Sequence, residues 1–139
     1  MHRFPSKEWA AAYQIALNHN RAYREAGEPW TFGSVALIVR SDPAVGLEHD
    51  AGIILDVHRG ECRGALFVER VQDPQDAAFV IVAPYAYWKD VIQGRLGPIR
   101  GMMEGKLKLS RGHLPTIIRF VESARQLVVS ACRVPTEFL

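Results

Sequence analysis

His58 and Cys62 come closest in this sequence to a catalytic pair by residue type and spacing. An imidazole beside a thiol can activate the sulfur as a nucleophile, and a third group usually orients the imidazole. The two residues are four positions apart on a predicted hairpin, and no third group is evident beside them. Because a loop pair of this kind often arises by chance, we do not expect nucleophilic catalysis.

The run Glu48-His49-Asp50 offers two carboxylates and an imidazole, which are ordinary metal ligands. A polar turn before a strand explains the same residues, and no second histidine is placed to join them. The sequence also lacks a Gly-x-Ser-x-Gly elbow, a phosphate-binding loop and a dinucleotide-binding glycine pattern. We therefore expect no enzyme, no metal and no other cofactor.

The composition is that of one folded domain. Of the 139 residues, 48% are hydrophobic and 23% are charged, with a formal net charge of +2. This length predicts a single domain over residues 1–139, and the near-neutral charge argues against nucleic acid as a partner. The longest apolar runs, such as 79–86, are too short to span a bilayer, and the N-terminus carries no export signal. Cys62 and Cys132 match neither a zinc spacing nor a disulfide framework, so we expect a soluble protein of the cytoplasm.

The charge is unevenly divided along the chain. Residues 89–139 contain nine Lys and Arg against four Asp and Glu, a balance of +5, which leaves eight against eleven, or -3, before them. A basic second half could make transient contact with an anionic membrane. The alternative, that these charges only solvate helix faces, stays open.

Hydrophobic periodicity predicts the secondary structure. Three-to-four spacing of apolar residues predicts helices over about 6–26, 85–93, 97–104 and 113–131, with Ser6 capping the first and Gly27 ending it. Alternating or continuous apolar runs predict strands over about 34–40, 52–58, 64–71, 77–83 and 105–109. Turn residues at 58–63 and 72–76 predict hairpins, hence a meander. We expect an α+β fold in which a five-stranded, mostly antiparallel sheet carries helices on one face.

The segment 77–109 carries a resemblance to a known family. It contains a tryptophan, a glycine, a proline-started helix with two methionines and a Gly-Lys-Leu-Lys strand, at Trp88, Gly94, Pro98, Met102-Met103 and Gly105-Lys106-Leu107-Lys108. This order resembles the sterol carrier protein 2 family. The ends resemble its stand-alone bacterial members, at Trp9, Asn18, Tyr23, Trp30, Gly33 and 134–138. The chain departs at Ser110-Arg111-Gly112-His113, where a Lys-Gly-Asp turn is more usual.

The resemblance implies an apolar tunnel between sheet and helices that binds and transfers lipids, as fatty acids, acyl-CoA or sterols, without catalysis. Flexible methionines on short helices suit a wall that does not close perfectly. The candidate lipid-binding residues, each also a plausible core residue, are Phe67, Phe79, Ile81, Trp88, Ile99, Met102, Met103, Leu107 and Val121.

Two further questions stay open from the sequence. Arg100, Lys106 and Arg111 could meet a carboxylate or phosphate head group, or they could be solvated surface. The alternative function is an accessory interaction module of a lipid-pathway enzyme, with the same fold, a reduced tunnel and an unidentified protein partner.

Overall fold

A five-stranded sheet forms the centre of the computed structural model, which describes residues 1–72 and 76–139. The strands are β2 (Val35–Arg40), β3 (Ala51–His58), β4 (Glu61–Val68), β5 (Phe79–Pro84) and β6 (Lys108–Arg111). They lie in the order β4-β3-β2-β5-β6. Three of the four pairings are antiparallel, and β2 with β5 is parallel. The expected α+β fold with a mostly antiparallel sheet is confirmed.

The predicted meander is correct only for β2, β3 and β4. These strands are joined in sequence, and the β3–β4 hairpin turns at Arg59 and Gly60, whose positive φ values of 50° and 78° match the twist of a tight hairpin. The second predicted hairpin, at 72–76, is wrong, because β5 pairs with β2 and β6 instead of with β4. Residues 73–75 of that loop lie outside the described residues.

Within the described residues, six α-helices cover one face of the sheet. They are α1 (Lys7–Asn18), α2 (Arg21–Ala26), α3 (Tyr85–Ile92), α4 (Pro98–Met103), α5 (Leu114–Arg119) and α6 (Val121–Cys132). Strand alternation turns Val35, Leu37 and Val39 of β2 toward these helices. The neighbours Ala36 and Ile38 instead join a smaller apolar cluster on the opposite face, so the main core lies between sheet and helices.

The first predicted helix is two helices that meet at Asn20. Ser6 caps α1 as expected, accepting a hydrogen bond from the backbone N–H of Trp9 at 3.0 Å. Asn20 then caps α2, and its buried amide also donates to Gln126 at 3.0 Å and Ser130 at 3.0 Å in α6. The helix bends because this amide forms hydrogen bonds on both sides of the corner. Helical periodicity alone does not reveal such a corner.

The long predicted helix over 113–131 is also divided, at Phe120. Phe120 leaves helical geometry, and its ring packs on Trp30 at 5.2 Å and on Phe32 at 5.5 Å between ring centroids. Neither glycine nor proline lies at the break. The aromatic contacts therefore override the local preference to continue the helix.

The last strand of the sheet begins later than the predicted 105–109. The backbone N–H groups of Lys106 and Leu107 both donate to the carbonyl of Gly101, at 2.9 and 3.0 Å, which keeps these residues in the turn that ends α4. Leu107 still faces the core, as the alternation predicts. Two short strands were not predicted, β1 (His2–Phe4) and β7 (Thr136–Phe138), because they are too short for a periodic signal. They pair with each other in parallel.

At the edge of the sheet, the side-chain amide of Asn18 pairs with the backbone of β4. Its oxygen accepts from the N–H of Cys62 at 2.8 Å, and its nitrogen donates to the carbonyl of Cys62 at 2.9 Å. Both backbone groups of Cys62 thus point away from β3 and are satisfied by α1. This contact fixes α1 against the edge strand.

Candidate functional site

An apolar cavity of about 90 Å³ lies between the sheet and the helices. Alternate residues of three adjacent strands form its floor, because successive side chains of a strand point to opposite faces. The floor residues are Val35, Leu37, Val39, Ile53, Leu55, Val57, Phe79 and Ile81. No charged side chain lines the cavity in the described part of the chain. Its surroundings therefore favour hydrocarbon over ions.

The helices, Phe4 near the N-terminus and three connecting segments provide the rest of the wall. α1 and α2 contribute Trp9, Tyr13 and Tyr23, and α3 contributes Trp88. The other wall residues are Phe4, Trp30, Val91, Ile92, Pro98, Met102, Leu107, Ile117, Phe120, Ser123, Ala124, Leu127, Val128 and Ala131. The cavity is thus enclosed by all six helices and by segments distant in sequence.

Hydrogen bonds hold four of the eight aromatic side chains of the described wall in place. The indole N–H of Trp9 donates to Thr136 Oγ1 at 2.9 Å. That of Trp30 donates to the Gly33 carbonyl at 3.0 Å, and that of Trp88 donates to the Ile38 carbonyl at 2.8 Å. The hydroxyl of Tyr13 donates to the carbonyl of Leu127 at 2.8 Å. These bonds fix ring orientation and leave the apolar faces toward the cavity.

The structure brings five of the nine predicted lipid-binding residues to the cavity wall. Phe79 and Ile81 lie on β5, Trp88 on α3, Met102 on α4 and Leu107 after it. The other four lie elsewhere. Phe67 and Ile99 pack against the core without lining the cavity, while Met103 and Val121 are 70% and 49% exposed.

The wall residues that sequence reasoning missed come from most elements of the fold, and the first and last predicted helices supply several of them. Trp9, Tyr13 and Tyr23 belong to the apolar stripe that predicted the first helix, and Ala124 and Val128 to the stripe of the last. Those stripes indicated burial but could not show that the buried faces surround a cavity. Ser123 gave no signal, because a serine in a helix is usually exposed.

A mixed aromatic and cationic cluster lies where the wall reaches the surface at the α5–α6 junction. The guanidinium of Arg119 lies 5.2 Å from the ring centroids of both Phe32 and Phe120. Phe120 lines the cavity, whereas Phe32, Ile118 and Val121 are exposed. The apolar wall therefore continues to the surface at this junction.

Helices α4 and α5 are held differently from their neighbours. The side-chain hydrogen bonds of their described residues are local, from Arg100 to Glu104 and between His113 and Thr116. Apolar contacts of Ile99, Met102 and Ile117 join these helices to the core. Non-directional contacts of this kind permit small displacements that hydrogen bonds would resist.

The buried titratable groups near the cavity are neutral. Burial raises the pKa of Tyr13 and Tyr23, and burial raises the pKa of the Cys62 thiol to about 11. The thiol donates to the Gly64 carbonyl at 3.3 Å. Because β3 and β4 pair Val57 with Cys62, His58 points to the opposite face of the sheet, and the His58–Cys62 pair does not form.

The other candidate polar residues also lie outside the cavity wall. His49 contacts Arg70 at 2.7 Å, and Asp50 accepts from the Ser41 N–H at 2.7 Å. No three His, Cys, Asp or Glu side chains among the described residues cluster as metal ligands.

The predicted head-group cations make contacts within the protein. Arg100 and Lys106 both contact Glu104, at 2.9 and 3.3 Å, and Arg111 donates to the Ala77 carbonyl at 3.2 Å. None of the three lines the cavity. In the described ranges, no helix is long and apolar enough to cross a membrane.

Solved structures resemble this chain over most of its length. A crystal structure of sterol carrier protein 2 is 40% identical, with a TM-score of 0.86 over 93% of this chain and 97% of that one. A conserved hypothetical protein of Thermus thermophilus, suggested to be a sterol carrier protein, is 39% identical, with a TM-score of 0.85 over 95% and 90%. A UbiJ-SCP2 ubiquinone synthesis protein, at 16% identity and a TM-score of 0.51 over 88% and 90%, shares the fold alone. No family model matches the chain, and no curated protein does.

Proposed function

Because this chain belongs to the sterol carrier protein 2 family, we propose that it binds a lipid in the cavity between sheet and helices. We propose further that it transfers this lipid without catalysing a reaction. The observation that carries the proposal is a cavity wall with no charged side chain among the described residues. Transfer of hydrocarbon from water into such a site is favourable by roughly 0.8 kcal/mol for each methylene.

The size of the cavity adds a condition to this proposal. At about 90 Å³ it is smaller than an engineered cavity of about 150 Å³ that admits benzene. A lipid chain can therefore enter only if part of the wall moves outward. Helices α4 and α5 are the parts that we propose to move, because apolar contacts join them to the core and their side-chain hydrogen bonds are local.

The ligand classes that we propose are those of the expected tunnel: fatty acids, acyl-CoA esters or sterols. Burial of about 12 methylenes is worth roughly 10 kcal/mol, from which association and ordering remove about 4 to 15 kcal/mol. The most favourable net value, about -6 kcal/mol, corresponds to a Kd of some tens of micromolar. Such affinity suits a carrier that must also release its ligand.

We propose that the surface around the α5–α6 junction makes transient contact with anionic membranes. Residues 105–121 contain the four cations Lys106, Lys108, Arg111 and Arg119 and no acidic residue. Exposed apolar side chains at Ile118 and Val121 accompany them. Basic and apolar groups together favour a lipid surface that carries negative charge. We propose a cytoplasmic location as well, which suits the two free thiols.

The experiment that tests lipid binding compares two alanine-to-leucine variants. Ala124 lines the cavity, whereas Ala11 lies on the exposed face of α1. We expect native mass spectrometry to find co-purified lipid on the wild type and on Ala11→Leu, and a fluorescent fatty acid to bind both in the micromolar range. Ala124→Leu fills the cavity and should weaken binding at least tenfold while the circular dichroism stays unchanged. Absence of bound or displaceable lipid at tens of micromolar wild-type protein would refute the proposal.

The small cavity also favours a second candidate, an accessory interaction module of a lipid-pathway enzyme. One neighbour of the same fold is described as a ubiquinone synthesis protein. On this view the cavity stays closed, and the exposed aromatic and basic surface contacts a protein. Two results together would favour this candidate. One protein partner would co-purify in stoichiometric amount, and the wild type would bind the fluorescent fatty acid no more strongly than Ala124→Leu does.

A further inference from the structure

Two hydroxyl groups stand apart from the other polar groups of the cavity wall. Six wall residues carry a side-chain N–H or O–H group: Trp9, Tyr13, Tyr23, Trp30, Trp88 and Ser123. The three indoles and Tyr13 each donate to a protein acceptor at 2.8 to 3.0 Å. Tyr23 and Ser123 have no side-chain hydrogen bond to any described residue, although they are only 2% and 7% exposed.

Both residues line the cavity, and both are more than nine-tenths buried. Among the described residues, no fully enclosed side-chain nitrogen or oxygen lacks a partner, so each of the two oxygens keeps some accessible surface. Since both residues are buried and line the cavity, we infer that this surface faces inward. Buried polar groups are nearly always hydrogen-bonded in proteins. Two hydroxyl groups without a protein partner in an apolar wall therefore indicate a partner on a bound molecule.

The positions of the two residues place them on neighbouring helices. Tyr23 follows Asn20 by three residues in α2, and Ser123 precedes Gln126 by three residues in α6. Asn20 and Gln126 are themselves joined by a hydrogen bond of 3.0 Å. Each residue therefore lies about one helical turn from the same fixed contact, on the hydrogen-bonded side of the cavity.

The electrostatic surroundings select a neutral partner. No cation lines the cavity among the described residues, so a carboxylate placed there would lose its hydration without a counter-charge. Burial, with a smaller contribution from the nearby Cys62 thiol, raises the pKa of Tyr23 and keeps its phenol a neutral donor. A hydroxyl or carbonyl oxygen can accept hydrogen bonds from the phenol and from the serine hydroxyl without any buried charge.

We propose that Tyr23 and Ser123 bind a neutral oxygen, a hydroxyl or carbonyl, at the buried end of an otherwise apolar ligand. This inference rests on the proposed lipid-binding function and adds the orientation of the ligand. The oxygen lies inward, between α2 and α6, and the hydrocarbon extends toward α4 and α5. A fatty acid would instead bind with its carboxylate outside.

The test measures four probes of equal chain length: 1-dodecanol, 2-dodecanone, dodecanoic acid and dodecane. Each displaces a fluorescent fatty acid from the wild type and from the variants Tyr23→Phe and Ser123→Ala. We expect the wild type to bind the alcohol and ketone about tenfold more tightly than dodecane. Each variant should lose about five- to tenfold in affinity for these two and keep its affinity for dodecane. Tyr87→Phe, which removes a phenol hydroxyl outside the cavity wall, should change nothing.

Infrared spectroscopy gives a second measurement that does not depend on affinity. The carbonyl band of bound 2-dodecanone should lie at lower wavenumber than in hexane and return toward the hexane value in Tyr23→Phe. Equal binding of dodecanol and dodecane by the wild type, or an unshifted carbonyl band, would overturn the inference and leave the proposed function intact. Failure of all four probes to bind would overturn both.

Discussion

Among the six described helices that enclose the cavity, two groups are held in opposite ways. The hydrogen-bonded helices α1, α2 and α6 are joined to each other or to the sheet through the side chains of Tyr13, Asn18 and Asn20. The apolar helices α4 and α5 form only local side-chain hydrogen bonds within the described residues. Directional bonds fix position, whereas apolar contacts tolerate sliding. The comparison indicates that the cavity has one fixed side and one side that can open.

The largest expected effect is the loss of a buried side chain from the hydrogen-bonded helices. Leu17 in α1 is fully buried, and Leu17→Ala should lower the free energy of unfolding by about 2 to 5 kcal/mol. Ile118→Ala in α5, where the side chain is 45% exposed, should cost less than about 1 kcal/mol. Urea unfolding measures both. Equal losses would show that the two groups of helices contribute alike.

The next effect separates the two roles of Asn20. Asn20→Ala removes both the cap of α2 and the bonds to Gln126 and Ser130, and should cost about 1 to 3 kcal/mol. Asn20→Ser keeps a capping oxygen but is too short to reach α6, so it isolates the second role. We expect Asn20→Ser to recover less than half of the loss. Full recovery in urea unfolding would mean that the bonds to α6 contribute little.

Hydrogen exchange compares the two groups directly in the unmodified protein. Backbone amides of α4 and α5 should exchange at least about tenfold faster than those of α1 and α6, a difference of about 1.4 kcal/mol in opening free energy. Addition of dodecanol should slow exchange chiefly in α4 and α5, because a bound ligand would hold the apolar helices in place. Uniform protection across all helices would contradict the difference that we infer.

The smallest expected effect concerns acid stability. Hydrogen bonds from Arg125 and Gln126 lower the pKa of Glu122 from 4.5 to about 2. Because the folded-state pKa is depressed, this stabilisation is present above pH 4.5 and is lost as the pH falls toward 2. Glu122→Gln should therefore flatten the loss of stability across this range. The Arg21–Glu25 pair offers a control, since Glu25→Gln removes a similar exposed pair outside this network.

Much of the fold follows from local patterns in the sequence. Alternation at Val35, Leu37 and Val39 assigns β2 to the core, and Ser6 gives the start of α1. The pairing of β5 with β2 could not be predicted, since strand order depends on long-range contacts that a short connection conceals. The helix breaks at Asn20 and Phe120 likewise depend on residues about one hundred positions away.

The cavity wall was harder to predict than the fold. Phe79 and Ile81 could be assigned because continuous apolar strands are buried. Met103 and Val121 were chosen from periodicity, yet their side chains are exposed, because α4 and the start of α6 lie at the rim of the core. Tyr23 and Ser123 also line the cavity, and no periodic pattern reveals a polar residue in an otherwise apolar wall.

The amide of Asn18 at the sheet edge has a consequence for behaviour at high concentration. An edge strand with free N–H and C=O groups is a template on which another chain can add a strand. At Cys62 both groups are already occupied by Asn18, at 2.8 and 2.9 Å. A second molecule that approached this end of β4 would have to displace the amide before it could pair. One side chain of α1 thus protects the sheet against edge-to-edge aggregation where β4 begins.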